Sequence, residues 1–335
     1  MREEMRTRIE WIDSLKGIGI ISVVAGHTIQ NGSVATLFFL FHMPLFFALS
    51  GHLFNPNTNL RQYLSKGVRH LLIPYACFLA ILFLPTLLNS GTPINFHSVS
   101  HLVARFMYGG AALVEFEGPF WFVTCLFFTQ QICNFLIVKW RPQSVSLIMI
   151  AALISGYANQ YAAANLRFPL AINVCLVAMP FFYLAYRIRS LDDNRTLVAI
   201  SSAICIASIA AMRHFPIAYD MKNTNYGIPL ASFVVAYAWF ITLRAVARAT
   251  TRIPGISKVI SSFGAMSMGI MFTHQFIQIS LYKHGVHNDL VRFAIALCAT
   301  YAVSRCIESN HLAARLLLGI QRGNRLPLTP SHESA

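Results

Sequence analysis

The sequence predicts an all-α fold, a polytopic membrane bundle of about ten transmembrane helices with the N- and C-termini in the cytoplasm. Of its 335 residues, 56% are hydrophobic and 11% are charged, whereas soluble domains carry about 25% charged residues. Apolar runs of about 20 residues, the length that crosses a bilayer, recur along the chain. Lys and Arg gather in the short connections between these runs. Together these observations indicate an integral membrane protein.

About ten apolar segments are long enough to span a membrane. Their predicted bounds are 11–29, 34–54, 68–88, 119–138, 145–163, 168–187, 196–212, 226–244, 258–282 and 290–308. Residues 1–310 are therefore expected to form one membrane domain, and the basic segment 311–335 is expected to be a cytoplasmic tail with little order. The first segment has an acidic residue within its apolar run and no small-residue cleavage site after it, so it is expected to remain as the first span.

The basic residues set the predicted orientation. With the N-terminus inside, all but six of the 26 Lys and Arg residues fall on the cytoplasmic side or at cytoplasmic helix ends, as the positive-inside rule requires. The six external ones are Arg105, Arg167, Arg213, Lys222, Lys283 and Arg292. The net charge of +14 is therefore explained by the orientation of the chain in the membrane. No basic cluster is interleaved with aromatics, so we expect no nucleic-acid partner.

Cysteine usage and short motifs exclude several classes of site. The seven cysteines lie in or at the ends of apolar segments and form no CxxC pair, so they are expected to be small buried hydrophobic residues. The chain has no HExxH and no paired Cys/His spacing, and we therefore predict no metal site. It also has no GxSxG motif, which leaves a serine hydrolase without support.

The first apolar segment carries the ionisable residues Asp13, Lys16 and His27. Such groups are costly inside a bilayer unless they are paired or line a cavity, so they are functional candidates. Lys16 and His27 are eleven residues apart, which places them on one helix face about 16 Å apart. A neutral imidazole can act as a general base near pH 7, and we take His27 and Asp13 as catalytic candidates. The alternative is that Asp13 and Lys16 snorkel at the interface and that His27 is a hydrogen-bonding core residue.

A second basic pair, Lys66 and Arg69, lies at the border of the third segment. Their spacing of three residues, near backbone N–H groups at a helix start, suits phosphate. Ordinary positive-inside placement is the alternative.

A third group places polar residues beside aromatic ones. His42 lies within a span next to Pro44, whose ring disturbs the helical hydrogen bonds. Glu117 and Trp121 stand where a long external connection enters a span. A carboxylate beside aromatics is typical of a sugar-binding edge and equally of an interfacial aromatic belt. His274, in the ninth segment, fits a structural role better than a chemical one.

Taken together, these motifs resemble membrane acyltransferase family 3. The resemblance rests on Ile9–Gly17, His27, Phe41–Gly51, Lys66–Tyr75 and Gly118–Phe122. Within that family the chain is most similar to the exopolysaccharide and fucose O-acetylase branch, which includes acetyltransferases of xanthan-type polymers. The resemblance implies O-acetyl transfer from acetyl-CoA to a sugar hydroxyl, with His27 at the family's catalytic histidine.

The resemblance also implies a set of ligands. Lys16, Lys66 and Arg69 would bind the phosphates of acetyl-CoA, which is a co-substrate, and no cofactor would be bound permanently. Lys16 and Lys66 stand where many members have Arg; Lys keeps the charge but loses the bidentate fork. The acceptor-binding candidates are His42, Glu117, Trp121 and His274. The other expected partners are a sugar or lipid-linked oligosaccharide, membrane lipids and polysaccharide-assembly proteins, and the expected location is the bacterial inner membrane.

Two functions stay open at this point. In the preferred one, His27 takes the proton of a sugar hydroxyl as that oxygen attacks the thioester. A transporter or flippase of lipid-linked glycans would also explain the many spans, but it predicts an internal repeat and ionisable groups in both halves. The polar groups concentrate in the first quarter of the chain, which favours an enzyme. A purely structural scaffold gives no reason for Lys16 and His27 to share a helix face.

Overall fold

The computed structural model describes residues 2–91, 93–162, 166–191 and 194–320, and this part of the chain is helical, with no strand beyond one isolated bridge between Asp220 and Asn225. The helices are α1 (Arg2–Thr28), α2 (Gly32–Phe39), α3 (His42–His52), α4 (Leu60–Gly67), α5 (Ile73–Asn89), α6 (Phe96–Tyr108), α7 (Trp121–Lys139), α8 (Pro142–Ala162), α9 (Cys175–Ile188), α10 (Arg195–Ala211), α11 (Ala231–Thr250), α12 (Pro254–Ala265), α13 (Ser267–Lys283), α14 (Asp289–Ser309) and α15 (His311–Leu317). A π-helical turn (Val68–Leu72) joins α4 to α5. The all-α prediction is confirmed.

Among the described residues, six helical stretches are long and apolar enough to cross a membrane. These are Gly32–His52, Leu60–Asn89, Glu115–Lys139, Pro169–Leu191, Ala231–Thr250 and Asp289–Ser309. If α12 and α13, which are bent by 75° relative to each other, are counted as one span, the number of candidate spans rises to seven. The other predicted segments are helical but weaker: α1 carries Asp13, Lys16 and His27, α8 ends in a polar stretch, and α10 has only 17 residues. The count of ten therefore stays a prediction, as does the orientation.

Two predicted spans are broken, and both breaks position the site. The segment 34–54 forms α2 and α3, which are separated at Leu40 and Phe41, and Phe41 has a non-helical φ of −146°. His42 is consequently the first residue of α3, and Pro44 lies in its first turn, where a missing N–H is tolerated. The segment 258–282 is interrupted in the same way at Met266, between α12 and α13.

Small residues let two pairs of helices, α1 with α12 and α3 with α9, approach each other at backbone distance. A Cβ added to Gly264 of α12 would lie 1.7 Å from the carbonyl oxygen of Asp13, and one added to Gly17 of α1 would lie 2.0 Å from that of Ile260. A Cβ on Gly51 of α3 would lie 1.9 Å from the carbonyl oxygen of Phe182 in α9. Glycine at such crossings is how membrane helices reach close contact. These contacts fix α1 and α3, which carry His27 and His42.

Replacing Gly51 with alanine should therefore destabilise the bundle. The added methyl group has to push α3 away from α9, and overpacking of this kind costs about 1–3 kcal/mol. Thermal unfolding of the purified protein in detergent measures the effect. Gly32→Ala is the matched control, because nothing lies within 4 Å of a Cβ at that position. Equal unfolding temperatures for the two variants would contradict the packing.

The two ends of the bundle differ. α6 and loop 213–230 lie at the end we call the loop end, whereas Lys16 and Lys66 lie at the opposite end, the lysine end. The helix α15 packs against α5, and a Cβ on Gly319 would lie 2.9 Å from His70 at the lysine end. An ordered helix at His311–Leu317 differs from the expectation of little order after residue 310. Residues 321–335 of the predicted tail lie outside the described residues.

Candidate active site

Three histidines from three helices form a cluster near the loop end. The ring centroid of His27, on α1, lies 5.5 Å from that of His274 on α13 and 6.2 Å from that of His42 on α3. The rings of His42 and His274 are buried, and His27 is half-buried. The fold thus brings together three histidines that the sequence indicated separately.

Hydrogen bonds fix the protonation pattern of two of these rings. Nδ1 of His42 lies 2.7 Å from the carbonyl oxygen of Phe38, and Nδ1 of His274 lies 3.0 Å from that of Ile270. A carbonyl only accepts, so each Nδ1 carries the hydrogen, and Nε2 of a neutral ring is an acceptor. Nε2 of His274 is buried without a partner. Within the described residues His27 forms no hydrogen bond, so its nitrogens are available to a substrate.

A buried arginine holds the end of α1 directly after His27. Arg292, on α14, is 1% exposed, and its Nη2 donates to the carbonyl oxygen of Thr28 and, at 2.9 Å, to Asp289. The other carboxylate oxygen of Asp289 accepts from the backbone N–H of Gln30 at 2.7 Å. From the sequence alone, Arg292 is predicted only to be an external charge. The signal was present: an Arg and an Asp three residues apart at the start of an apolar segment, the same i,i+3 spacing as Asp13 and Lys16.

One cavity opens at the lysine end. Its volume is about 560 Å³, and its polar lining includes Lys16 of α1, Lys66 of α4 and Gln130 and Gln131 of α7. Lining residues on α7 run from Gln131 to Phe122, a distance of about 14 Å along the helix axis. Lys16 keeps an ion pair with Asp13 at 3.1 Å. The cavity is therefore a basic cleft that penetrates far into the bundle.

This cavity stops one helical turn short of the histidines. Phe46 of α3 and Met271 of α13 line it, and they lie about 5–6 Å along their helices from His42 and His274. The Phe46 ring packs against Phe122 at 5.7 Å between centroids. It also approaches α1, where a Cβ on Gly19 would lie 2.9 Å from it. The cavity thus extends from Lys16 to Phe46 and Phe122, and this aromatic pair lies at its inner end.

Two of the predicted polar residues lie away from the places that the sequence suggested. Asp13 lies about 21 Å along α1 from His27, so it pairs with Lys16 and does not contact the histidine. Arg69 is exposed and is not among the residues that line the cavity. It belongs to the π-helical turn after Lys66, and the wider π geometry removes the shared face that a regular helix would give residues 66 and 69.

Glu117 and Trp121 are buried rather than open to a sugar. Trp121 is 5% exposed and packs in the core. The Glu117 carboxylate is fully buried; it accepts from the hydroxyl of Thr86 and from Nη2 of Arg105 at 3.3 Å. The structure therefore gives Glu117 the role of tying α5 and α6 to the start of α7. Sequence patterns could not show this, because its partners come from other segments.

Replacing Arg105 with methionine should destabilise the loop end. The buried Glu117 carboxylate would lose its cation, and breaking a buried pair costs about 3 kcal/mol or more. The double variant Arg105→Met/Glu117→Gln should regain much of that stability, since the amide is neutral. Thermal unfolding in detergent compares the two. A single variant as stable as the wild type would rule out the pair as a structural tie.

Lys222, in loop 213–230, is a partly buried cation at the loop end. Its Nζ donates to the carbonyl oxygen of Leu113, and its charge acts on the His27 ring. Burial lowers the pKa of Lys222 to about 8, although the neighbouring Asp220 and Glu117 favour its charged form. From the sequence alone, Lys222 is predicted only to be one of the external charges. Its place near His27 depends on how the loop folds over the bundle.

The lowered pKa of Lys222 has a measurable consequence. The ordinary value of 10.5 applies to the unfolded chain, so between pH 8 and about 10.5 the unfolded chain binds more protons than the folded one. The free energy of unfolding should therefore rise with pH across this window. Denaturant unfolding at several pH values measures the slope. Lys222→Met should lose this contribution, and Lys283→Met, at an exposed lysine, should keep it.

A sequence model of the acyltransferase domain matches residues 9–308. The chain belongs to this acyltransferase family. No curated protein and no solved structure matches it. The matched range contains the three histidines, Lys16, Lys66 and Arg292. With its several apolar helices, the acyltransferase is a multi-pass membrane protein, as the sequence predicted.

The geometry of this acyltransferase suits acyl transfer between two sides of the bundle. A basic cleft approaches the cluster from the lysine end, and a half-buried imidazole with free nitrogens lies beyond it near the loop end. Among the described residues, no group of three or more His, Cys, Asp or Glu side chains could hold a metal ion. The imidazoles and the neighbouring Lys222 ammonium are groups that could act on a substrate at the cluster.

Proposed function

We propose that this acyltransferase moves an acetyl group from acetyl-CoA to a sugar hydroxyl of an exopolysaccharide or of its lipid-linked repeat unit. The observation that carries the proposal is the alignment of the basic cavity with the histidine cluster, about 16 Å apart along α1 from Lys16 to His27. We place the enzyme in the bacterial inner membrane, with the lysine end in the cytoplasm, where acetyl-CoA is available.

The cavity is the proposed donor site. Lys16 and Lys66 line it and would contact the phosphates of CoA as point charges. The side-chain amides of Gln130 and Gln131 line the same cavity and would hydrogen-bond the amides of the pantetheine arm. That arm is long enough to bring the thioester to Phe46, at the inner end. Movement of the Phe46 ring would then admit the acetyl group to the cluster.

His27 is the proposed general base. It takes the proton of the sugar hydroxyl while the hydroxyl oxygen attacks the thioester carbonyl carbon. A C–O bond forms and the C–S bond breaks. The imidazolium then gives its proton to the departing CoA thiolate, which leaves as the free thiol. Nε2 of His42 and of His274 would accept hydrogen bonds from the acceptor, because their Nδ1 atoms are occupied by carbonyls. The burial of His42 and His274 strengthens their interactions with the acceptor.

Transfer of labelled acetyl tests the proposal directly. Purified protein in liposomes, supplied with acetyl-CoA labelled in the acetyl group and with de-acetylated polymer, should give labelled glycan in a base-labile ester. In cells, loss of the gene should leave the amount of polymer unchanged and remove the acetyl signals from its NMR spectrum. Loss of the whole polymer would instead support transport of a lipid-linked glycan and overturn the proposal.

A further inference from the structure

The helix α6 lies at the loop end and has two different faces. Phe96 is 88% exposed and Met107 is 77% exposed; with Val103, also exposed, they form a stripe at i, i+7 and i+11 on one side of the helix. On the inner side Phe106 packs against Phe83 of α5, with 6.0 Å between ring centroids. Large apolar side chains so exposed on a short helix beside membrane spans are typical of an interfacial helix.

A second cavity, of about 500 Å³, lies beside α6. His97, His101 and Arg105 line it from α6, and their spacing of four residues places them on one face over about 12 Å. The other lining residues are Thr86, Leu87, Ser90, Pro93, Asn95, Ser98 and Leu102. None of these residues is acidic. The cavity therefore offers a guanidinium and two imidazoles with no negative side chain among its lining residues.

This cavity lies at the same end of the bundle as the histidine cluster. Arg105, which lines it, donates to Glu117 at 3.3 Å. A Cβ added to Gly118, the residue after Glu117, would lie 3.7 Å from Nζ of Lys222 in loop 213–230. A ligand held at α6 would therefore lie at the same end of the bundle as the proposed catalytic base.

We propose that the cavity beside α6 binds the phosphate headgroup of a carrier lipid, the lipid to which the acceptor glycan is attached. Arg and His side chains donate charge-assisted hydrogen bonds to phosphate oxygens. The apolar stripe of Phe96, Val103 and Met107 lies in the same interface and contacts the acyl or prenyl chain. The choice of a glycan carrier rests on the proposed function; the phosphate chemistry and the interfacial position rest on α6 and its cavity.

Binding of a polyprenyl phosphate to the full-length protein tests this site. The protein, purified in detergent, is titrated with the lipid, and the bound fraction is measured by native mass spectrometry. The double variant His97→Ala/His101→Ala should bind the lipid about tenfold more weakly, since each hydrogen bond to a charged group contributes substantially. The control is His214→Ala, an exposed histidine of loop 213–230 that does not line the cavity; it should bind like the wild type.

Three results would overturn the site. One is equal binding by the double variant and the wild type. Another is equal affinity for phosphatidylglycerol, which would indicate ordinary annular lipid, and the third is full competition by millimolar inorganic phosphate, which would indicate a site for the free ion. No acetyl-CoA is present in this experiment. A failure to bind the lipid would therefore not bear on the proposed function. That function is tested separately by the transfer of labelled acetyl.

Discussion

Replacement of His27 by asparagine should lower the turnover of acetyl transfer about a thousandfold, within the range that a positioned general base contributes. Asparagine fills part of the imidazole volume but cannot take a proton near neutral pH. The KM for acetyl-CoA should stay close to that of the wild type, because the cavity that carries Lys16 and Lys66 ends one helical turn before the histidine cluster. The measurement is steady-state transfer of labelled acetyl to glycan by protein in liposomes.

The matched control for this variant is His214→Ala, which removes an exposed histidine far from the cavity and should leave turnover unchanged. Thermal unfolding of both variants should match the wild type, since within the described residues His27 makes no hydrogen bond that holds the fold. Turnover of His27→Asn within tenfold of the wild type would exclude His27 as the base. A large fall in the unfolding temperature would show instead that His27 has a structural role.

The features that sequence analysis predicted best are those set by local spacing. The shared face of Lys16 and His27 follows from the rise of one helix, and Lys66 follows from its position at a helix end. The helical fold class follows from composition and segment length. These properties need no knowledge of the neighbouring helices, and the structure places Lys16 and Lys66 together at one cavity.

The features that were missed depend on contacts between distant segments. The sequence around Glu117 and Trp121 is typical of a sugar-binding edge or of an interfacial aromatic belt. In the structure the Glu117 carboxylate is buried and accepts hydrogen bonds from Thr86 and Arg105. Arg292 reads as a topology charge, yet it holds the last turn of α1. The aromatic motif Phe41–Gly51 does not by itself predict that the Phe46 ring lies at the inner end of a cavity. Each of these outcomes is decided by tertiary packing, which no single-segment pattern contains.

Length and composition identify six or seven spans among the described residues, fewer than the ten predicted, and the difference has a physical reason. A span that carries functional groups loses hydropathy, and α1 does so at Asp13, Lys16 and His27. A span that is sharply bent, as at Met266 between α12 and α13, is divided into two short helices. Two of the segments that complicate counting, α1 and the bent pair α12 and α13, also carry the site residues His27 and His274, which agrees with the rule that irregular membrane backbone lines a cavity.

Comparing variants of Lys66 and Arg69 distinguishes a role in donor binding from a role in membrane topology alone. Lys66→Met should raise the KM for acetyl-CoA by about tenfold or more, because a charged hydrogen bond to phosphate is lost. Arg69→Met should leave that KM nearly unchanged, since Arg69 is exposed and does not line the cavity. Both substitutions remove one positive charge at the same end of the protein, so they alter long-range attraction of the anionic donor equally.

A second donor isolates the phosphate contact. Acetyl-pantetheine carries the thioester and the amide arm but no nucleotide phosphates, so its KM should be the same for Lys66→Met and the wild type. If Lys66→Met raised the KM for both donors equally, the lysine would act through the shape of the cavity and not through phosphate. If Arg69→Met matched Lys66→Met with acetyl-CoA, the paired-basic interpretation of the sequence would be restored and the cavity would have to extend to Arg69.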